Sequence, residues 1–278
     1  MLSRCNSVLR VENMWLENFL EGTNLLIKKP QAYGTFHLVF LAVGLTVSVI
    51  AAYLLRNAGD RTNRIVLCSV GGVLLVSEVY KQLLYYVVLC DYSYPWHILP
   101  FQLCSIPMYL CLIAPFIKNE KISGAMYDFM LGFNLMSGFL ALLEPSGLLN
   151  ERLPLLIHSF CWHMLLVFVG LYLGLSRRAG LKLKNFGRAA VIFLICCGIA
   201  FAINFGLYDI SGGEANMLYI GPANSPIIVF SDISRKYGWY VNAPVYIASV
   251  TLGAFIFYLP FALWNRRTAA KKAAVAAV

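Results

Sequence analysis

Apolar residues along the chain occur in long runs that are separated by short polar segments. A helix needs about 20 mostly apolar residues to cross the hydrocarbon core of a bilayer. Seven runs meet this length, at residues 35–55, 65–89, 98–117, 122–143, 153–175, 189–207 and 243–264. The pattern predicts an all-α polytopic membrane protein with seven transmembrane helices, arranged as a helical bundle or barrel.

The segments around these runs divide the chain into three parts. Residues 1–34 mix Trp15 and Phe19 with charged side chains, which is typical of a segment that lies at the membrane surface. Residues 35–264 are the predicted membrane domain, and residues 265–278 form a basic tail. The longest connection in the membrane domain, residues 208–242, is rich in Gly and Pro, which predicts an external loop or lid.

Composition supports a membrane protein and excludes several other classes. The chain is 60% hydrophobic and 13% charged, and its mean hydropathy is +0.71. Soluble enzymes, DNA-binding modules and disordered tails need roughly twice this charged fraction. Most of the eight cysteines lie inside apolar runs, where thiols usually pack as small hydrophobic groups, so no disulfide framework is predicted.

The basic residues predict the orientation, because they gather on the cytoplasmic side of membranes. With seven spans, one side carries twice as many as the other. The richer side holds Arg56, Arg61, Arg64, Lys118, Lys121, Arg177, Arg178, Lys182, Lys184, Arg188, Arg266, Arg267, Lys271 and Lys272, and the other holds Arg4, Arg10, Lys28, Lys29, Arg152, Arg235 and Lys236. The pattern predicts a multi-pass protein of the cell membrane with an external N-terminus and a cytoplasmic C-terminus. The net charge of +9 then sets topology, and no nucleic-acid partner is expected.

Polar side chains inside the runs are candidate site residues, since a group of this kind costs several kcal/mol in the membrane unless it is paired or solvated. The rarest are Glu78, Lys81, Cys104, His158, His163 and Asn204. At about 1.5 Å per helical residue, all of them fall within about 16 Å of the presumed outer ends of their spans. The sequence therefore predicts a polar cavity in the outer half of the membrane.

Glu78 and Lys81 are three residues apart, close enough on one helical face to form an ion pair. Two interpretations are open. The pair could neutralise itself and hold the bundle together, or it could line the cavity and orient a histidine.

Cys104 lies between Pro100 and Pro107, and Pro107 should kink a helix there and expose the thiol. The alternative is inert packing, as expected for most membrane cysteines. His158 and His163 differ by about 140° around a helix, so they are not placed to share one metal ion, and no metal or cofactor is expected. Either of them near Cys104 would form a thiol nucleophile and base.

These residues belong to motifs that resemble the YwaF and transmembrane protein 164 family. The motifs are Glu78, Tyr80, Lys81 and Gln82; Pro100, Phe101, Gln102, Cys104, Ser105 and Pro107; His163 before Gly170 and Tyr172; and Asn216, Met217, Leu218 and Tyr219 before Gly238, Trp239 and Tyr240. The resemblance covers roughly residues 35–264. It is most specific around Cys104.

The resemblance implies an integral-membrane acyltransferase that moves fatty acyl chains on or off phospholipids, with phospholipid and lysophospholipid as donor and acceptor. It implies Cys104 as the nucleophile and His163 as the base. Many relatives have His in place of Gln102, and some have His in place of Trp162, so His158 stays a second candidate base. The candidate substrate-binding residues are Glu78, Lys81, Gln102, Asn204 and Tyr219.

A different class of function is open from the residues alone. An intramembrane Glu/Lys pair and a Gly/Pro-rich external loop are also typical of a small-molecule or lipid transporter or sensor. The sequence shows no inverted repeat, which argues against transport.

Overall fold

Helices account for most of the residues that the structure describes. The computed structural model covers residues 14–223 and 225–276, with side chains up to residue 268. Its helices are α1 (Met14–Thr23), α2 (Thr35–Leu54), α3 (Asp60–Leu83), α4 (Ile106–Ile113), α5 (Glu120–Phe129), α6 (Leu135–Leu143), α7 (Leu153–Leu175), α8 (Phe186–Gly206), α9 (Ile228–Tyr237) and α10 (Trp239–Ala276). The predictions for Arg4, Arg10, Lys271 and Lys272 concern residues or side chains outside this description.

Within the described residues, six helical segments are long and apolar enough to cross a membrane. They are Thr35–Leu54, Asp60–Leu89, Glu120–Leu143, Leu153–Leu175, Leu183–Gly206 and Trp239–Thr268. The predicted all-helical membrane fold is confirmed, and six of the seven predicted runs form these segments. The outward stripe of α2, which includes Val39, Val43 and Val47, exposes its apolar side chains as a lipid-facing surface does.

The predicted span at residues 98–117 is not one continuous helix. Its helix, α4, begins at Ile106 and ends in a 3-10 turn at Phe116, a length of about 16 Å. Pro107 lies in the first turn of α4, where an N–H group would have no partner within the helix. The missing N–H of the proline therefore costs no hydrogen bond. Pro107 therefore begins a helix, and the kink predicted at this proline was wrong.

The two ends of the bundle can be identified by contacts between loops. At the first end, Arg178 forms an ion pair with Asp60 at 2.8 Å, and the Arg64 guanidinium lies 5.3 Å from the centre of the Phe116 ring. Asn265, near the end of the membrane part of α10, donates to a backbone carbonyl of the α7–α8 loop at 2.9 Å. The segments predicted to carry most of the basic residues therefore meet at one face, called here the basic face.

The opposite face is closed by the N-terminal segment. The Tyr92 hydroxyl donates to Glu17 of α1 at 2.6 Å, and the hydroxyls of Thr23 and Tyr80 lie 2.8 Å apart. Since Phe116 is at the basic face, the chain crosses the bundle between Tyr92 and Phe116. An irregular segment makes the first half of this crossing and α4 makes the second.

Helix α7 lies at the centre of the bundle, between α2 on one side and α6 on the other, and it contributes many of the core side chains. Gly138 permits the close approach of α6. A Cβ atom at this position would lie 2.8 Å from the His163 carbonyl oxygen of α7. A π-helical turn, Met130–Asn134, joins α5 to α6 directly below this contact.

The connection at residues 208–242 consists of two different structures. The 3-10 turn Met217–Tyr219 enters the bundle, and Met217 and Leu218 in it are fully buried. Helix α9 follows at the surface, with Ile228 and Val229 strongly exposed. The apolar exposed side of α9 fits a helix that lies along a membrane surface.

Candidate functional site

Cys104 lies in an irregular turn immediately before α4. The turn is held by a bond from the Ser105 N–H to the Gln102 carbonyl at 2.8 Å, and the Tyr109 hydroxyl donates to the Pro100 carbonyl at 2.9 Å. The Cys104 side chain is half-buried. Because the first N–H groups of a helix have no partners within it, the turn lies at the positive end of the α4 dipole.

A tryptophan of α7 fastens this turn to the centre of the bundle. The Trp162 indole Nε1 donates to the Cys104 carbonyl oxygen at 2.8 Å, and Trp162 is buried. His158 is one helical turn before Trp162, with ring centres 5.1 Å apart, and His163 follows Trp162 directly. The residue that contacts the Cys104 backbone is thus flanked by both candidate histidines.

The hydrogen bond of His163 fixes its tautomer. Nδ1 lies 2.7 Å from the Ser159 carbonyl oxygen, and a carbonyl can only accept, so Nδ1 carries the proton. Nε2 of the neutral ring is then a proton acceptor, as a general base requires. No hydrogen bond joins His163 to Cys104 in the part of the chain that the structure describes.

His37 shows what a purely structural histidine looks like in this bundle. Its Nδ1 accepts from the Tyr33 N–H at 3.1 Å, and its Nε2 donates to the Leu142 carbonyl at 2.8 Å. The ring is 1% exposed and lies in the first turn of α2. Both ring nitrogens are occupied, which leaves none for proton transfer.

Glu78 is the centre of a buried polar cluster on α3. Lys81 Nζ lies 2.8 Å from Oε1, so the predicted ion pair is present, and Gln82 Nε2 donates to the same oxygen at 2.7 Å. The second carboxylate oxygen lies 3.9 Å from His158 Nε2. The Glu78 side chain is 4% exposed and that of Lys81 is 18% exposed. Glu78 therefore connects α3 to the histidine helix α7.

Gln82 connects this cluster to the segment that carries Cys104. Its Nε2 also donates to the Ile98 carbonyl at 2.8 Å, and its Oε1 accepts from the Tyr94 hydroxyl at 2.8 Å. Gln82 was not among the site residues predicted from the sequence. Its amide has to satisfy a carboxylate, a carbonyl and a phenol at once, and only the packing of the irregular segment on α3 brings these groups together.

Two side-chain amides hold the buried turn Met217–Tyr219 in place. Gln102 donates to the Asn216 carbonyl at 3.0 Å and accepts from the Leu218 N–H at 2.9 Å. Asn204 of α8 makes the same pair of bonds with the backbone of Met217, at 3.1 Å and 2.5 Å. We call Gln102 and Asn204 together the amide clamp.

The clamp holds backbone that is unfavourable for residues with side chains. Leu218 and Tyr219 both have φ of 54°, in the left-handed region, which costs roughly 1–2 kcal/mol for each residue. Gly221 completes the turn, because a Cβ there would lie 2.8 Å from the Asn204 amide nitrogen. Strain of this kind persists only where the surrounding structure fixes it, and here it places Tyr219 next to the Cys104 turn.

The structure brings most of the predicted site residues together in two connected groups, and His163, which is bonded to Ser159, belongs to neither. Cys104, Gln102, Asn204 and Tyr219 form one group around the buried turn, and Glu78, Lys81 and His158 form the other. Trp162 and Gln82 join the two groups. Lys81 and Glu78 also act electrostatically on the Cys104 thiol, so both groups influence the same sulfur atom.

Two buried polar residues were missed in the sequence analysis, although both lie in the predicted run 122–143. Asp128 is at the basic face, where it accepts from the Gly180 N–H at 2.9 Å and the Tyr258 hydroxyl at 3.0 Å. Asn134 is fully buried in the π-helical turn, and its amide atoms have no hydrogen-bond partner among the described residues. A search for every acidic or amide residue inside an apolar run would have found both.

A groove of about 900 Å³ opens between α3 and α7 on the lipid side. Its walls include Gly72, Val76 and Ile157, and it reaches His158 at the inner end. Of the candidate site residues, His158 lies on the groove wall, whereas Cys104 and His163 do not line it.

Comparison with known proteins places this site within one family. A search of the curated proteins finds no match, and neither does a search of the solved structures. The model of the TMEM164 family matches residues 32–264, which include the Cys104 turn, the histidine helix and the amide clamp. Because this match covers most of the sequence, the chain belongs to the TMEM164 family.

Proposed function

We propose that the protein is an integral-membrane acyltransferase that moves fatty acyl chains on or off phospholipids through a thioester on Cys104. The observation that carries the proposal is the bond from the Trp162 indole to the Cys104 carbonyl at 2.8 Å. It docks the helix of both histidines onto the turn that presents the Cys104 thiol at the N-terminus of α4. A helix N-terminus favours the thiolate, which is the reactive form.

The proposed reaction has two displacement steps. His163 Nε2 takes the proton of the Cys104 thiol, the thiolate attacks the ester carbonyl carbon of a phospholipid, a carbon–sulfur bond forms, and the carbonyl electron pair moves to oxygen. When the pair returns, the carbon–oxygen bond breaks and the lysophospholipid leaves with a proton from His163. A second hydroxyl then attacks the thioester, gives its proton to His163 Nε2, and releases the thiolate.

His163 and His158 have different proposed roles. His163 is the base because its Nδ1–H is held by Ser159, which leaves Nε2 as the proton acceptor. His158 faces the Glu78 carboxylate, so we assign it and Glu78 to the positioning of α7 against α3. Lys81 and Glu78 both act electrostatically on the thiol, with opposite signs.

The proposed substrates follow from the surroundings of the site. The groove between α3 and α7 is open to lipid and mostly apolar, so it can accept an acyl chain from the bilayer, and each buried methylene contributes about 0.8 kcal/mol. Phospholipid and lysophospholipid are then donor and acceptor. The protein needs no metal or cofactor in this scheme, because the thiol and imidazole supply both nucleophile and base.

Capture of the acyl-enzyme tests this function. Purified protein in vesicles of phosphatidylcholine with an alkyne-tagged acyl chain should acquire the tag on the Cys104 peptide, and neutral hydroxylamine should remove it. The Cys104→Ala variant should stay unlabelled, while Cys111→Ala should label normally, because Cys111 is fully buried against Met130. Lipid movement between leaflets without any acyl adduct would overturn the proposal in favour of a transporter.

We also propose that the basic face is cytoplasmic and that the membrane is the cell membrane. The proposal is supported by the gathering of the Arg178, Arg64 and Asn265 contacts at one end of the bundle, since basic loops stay in the cytoplasm. Reporter fusions after Arg177 should report cytoplasm, and a fusion at Gly212 should report the outside. The reverse pair of signals would invert the orientation.

A further inference from the structure

Two tyrosines that the proposed reaction does not use lie at the Cys104 turn. Tyr246 of α10 is 3% exposed, and its ring packs against Phe230 of α9 at 4.9 Å between centres. Tyr219, in the left-handed turn, packs edge to face against the Tyr246 ring, with 6.4 Å between the ring centres. Both rings are thus fixed by aromatic packing before any substrate binds.

Among the described residues, the hydroxyl groups of these two tyrosines have no hydrogen-bond partner. Buried tyrosine hydroxyls normally have a partner, and the other two deeply buried tyrosines do: Tyr172 donates to Asn63 at 3.0 Å and Tyr258 to Asp128 at 3.0 Å. Neither Tyr246 nor Tyr219 has a hydrogen bond from its hydroxyl to any residue that the structure describes. The Tyr246 residue is 3% exposed, yet neither hydroxyl is among the fully buried side-chain atoms without a partner, so both hydroxyl groups keep some accessible surface.

Tyr219 lies beside the segment that carries Cys104. Leu218, the residue before Tyr219, is bonded to the side chain of Gln102, two residues before Cys104. The Cys104 thiol acts electrostatically on both tyrosines, and Tyr219 and Cys197 act on Tyr246. The rings of Tyr219 and Tyr246, 6.4 Å apart between centres, therefore lie close to the Cys104 turn.

We propose that the hydroxyls of Tyr246 and Tyr219 form the oxyanion hole of the acyl transfer at Cys104. The inference rests on the function proposed above. When the thiolate attacks the ester carbon, the carbonyl electron pair moves to the oxygen, and the two neutral phenols donate hydrogen bonds to that oxyanion. They transfer no proton, and they release the oxygen when the pair returns and the carbon–oxygen bond breaks.

The arrangement meets the physical requirements of such a site. Oxyanion donors act best when they are rigid, dry and in place before the reaction, and removal of one donor typically lowers the turnover rate about 100-fold to 1,000-fold. The packing of Phe230 and the amide clamp supply the rigidity. The strain at Leu218 and Tyr219 is then explained as the cost of presenting the second phenol to the same oxygen.

Two variants that remove only an oxygen atom test the inference. Tyr246→Phe and Tyr219→Phe keep the aromatic packing, and each should lower kcat about 100-fold with KM nearly unchanged. Tyr258→Phe is the matched control, since it removes a buried hydroxyl from the same helix at the basic face, and its kcat should match that of the parent.

A second measurement separates catalysis from structure. Alkylation of Cys104 by iodoacetamide forms no oxyanion, so its rate should be equal in the parent and in both variants. A trifluoromethyl ketone, which gives a tetrahedral adduct with the thiol, should bind each variant about 100-fold more weakly. If the parent forms the acyl-enzyme and the variants keep the parent kcat, the oxyanion hole is overturned and the proposed function stands. Parent protein that never acylates at Cys104 would overturn the proposed function. Equal loss of alkylation and acylation would show that the tyrosines only support the fold.

Discussion

The two ends of the bundle each contain buried polar groups, but they use them differently. At the basic face, the Asp128 carboxyl accepts from the Gly180 N–H and the Tyr258 hydroxyl, and Tyr258 also donates to the Lys182 carbonyl at 3.1 Å. The donors of this cluster, called here the Asp128 cluster, are occupied. The α7–α8 loop at that end also has left-handed backbone at Arg177 and Gly180, and Arg178 Nε and Asn265 Oδ1 have no hydrogen-bond partner among the described residues.

At the Cys104 end the donors and acceptors are only partly occupied. His163 keeps one nitrogen as an acceptor, and Tyr246 and Tyr219 keep their hydroxyl donors. The backbone is irregular before Cys104 and left-handed at Leu218. Proteins tolerate such violations mainly at functional sites. What distinguishes the candidate site is the kind of group that stays unpaired, since an imidazole nitrogen can take up a proton and a phenol hydroxyl can donate to an oxyanion.

The largest expected difference is between removing a histidine of the candidate site and removing a histidine that only supports the structure. His163→Ala should lower the acyl-transfer rate at least about 100-fold, the usual contribution of a general base. His37→Ala should reduce stability while the rate per folded molecule is kept, because both of its ring nitrogens serve the structure. Single-turnover kinetics on folded fractions would measure both. A His158→Ala variant slower than His163→Ala would show that His158 is the base.

The next test concerns the Glu78 ion pair. Glu78→Gln leaves Lys81 without a countercharge in a mostly buried site, so the free energy of unfolding should fall by between about 2 and 3 kcal/mol and activity should fall with it. The double variant Glu78→Gln with Lys81→Met should recover stability but not activity, if the pair positions His158 and acts on Cys104. Thermal unfolding in detergent and acyl-transfer rates measure the two effects. Recovery of both would make the pair structural only.

For the Asp128 cluster we expect a loss of stability without a loss of activity. Asp128→Ala removes the acceptor of two hydrogen bonds, so the free energy of unfolding should fall by about 2 kcal/mol. The rate per folded molecule should stay at the parent value, since the cluster is at the other end of the bundle. A rate that fell in proportion to stability would show that the two ends are coupled and would weaken the comparison.

The sequence predicts the helices well for a physical reason. Every backbone group in the hydrocarbon has to be satisfied within its own helix, so long apolar runs can hardly fold otherwise. The same composition does not distinguish a full helix from a half helix, which is why residues 98–117 were misjudged. Whether Pro107 kinks a helix or begins one depends on whether the preceding residues are helical, and contacts with α3 and α7 decide that.

The candidate site was only partly predictable for a related reason. The free-energy cost of a polar side chain inside the membrane identifies Glu78, Lys81, Cys104 and the histidines one by one. The Gly and Pro residues around Met217–Tyr219 predict an outside loop, yet Gln102 and Asn204, more than ten residues away in sequence, hold this turn inside. Tyr246 carries no such signal, since a tyrosine in an apolar run is common and only its unpaired hydroxyl is unusual.

The smallest expected effect comes from loosening the amide clamp. Gln102→Leu keeps the side-chain volume but removes the bonds to the Asn216 carbonyl and the Leu218 N–H. Two such bonds contribute about 0.5 to 1.5 kcal/mol each, part of which is recovered when the left-handed turn relaxes, so the rate should fall about 10-fold. Gln31→Leu, at an exposed position, should match the parent. Hydrogen exchange of residues 216–221 should rise in the Gln102 variant, because the turn opens more often. Faster exchange without any loss of rate would mean that the position of Tyr219 does not matter, and the difference between the two ends would then reduce to Cys104 and His163.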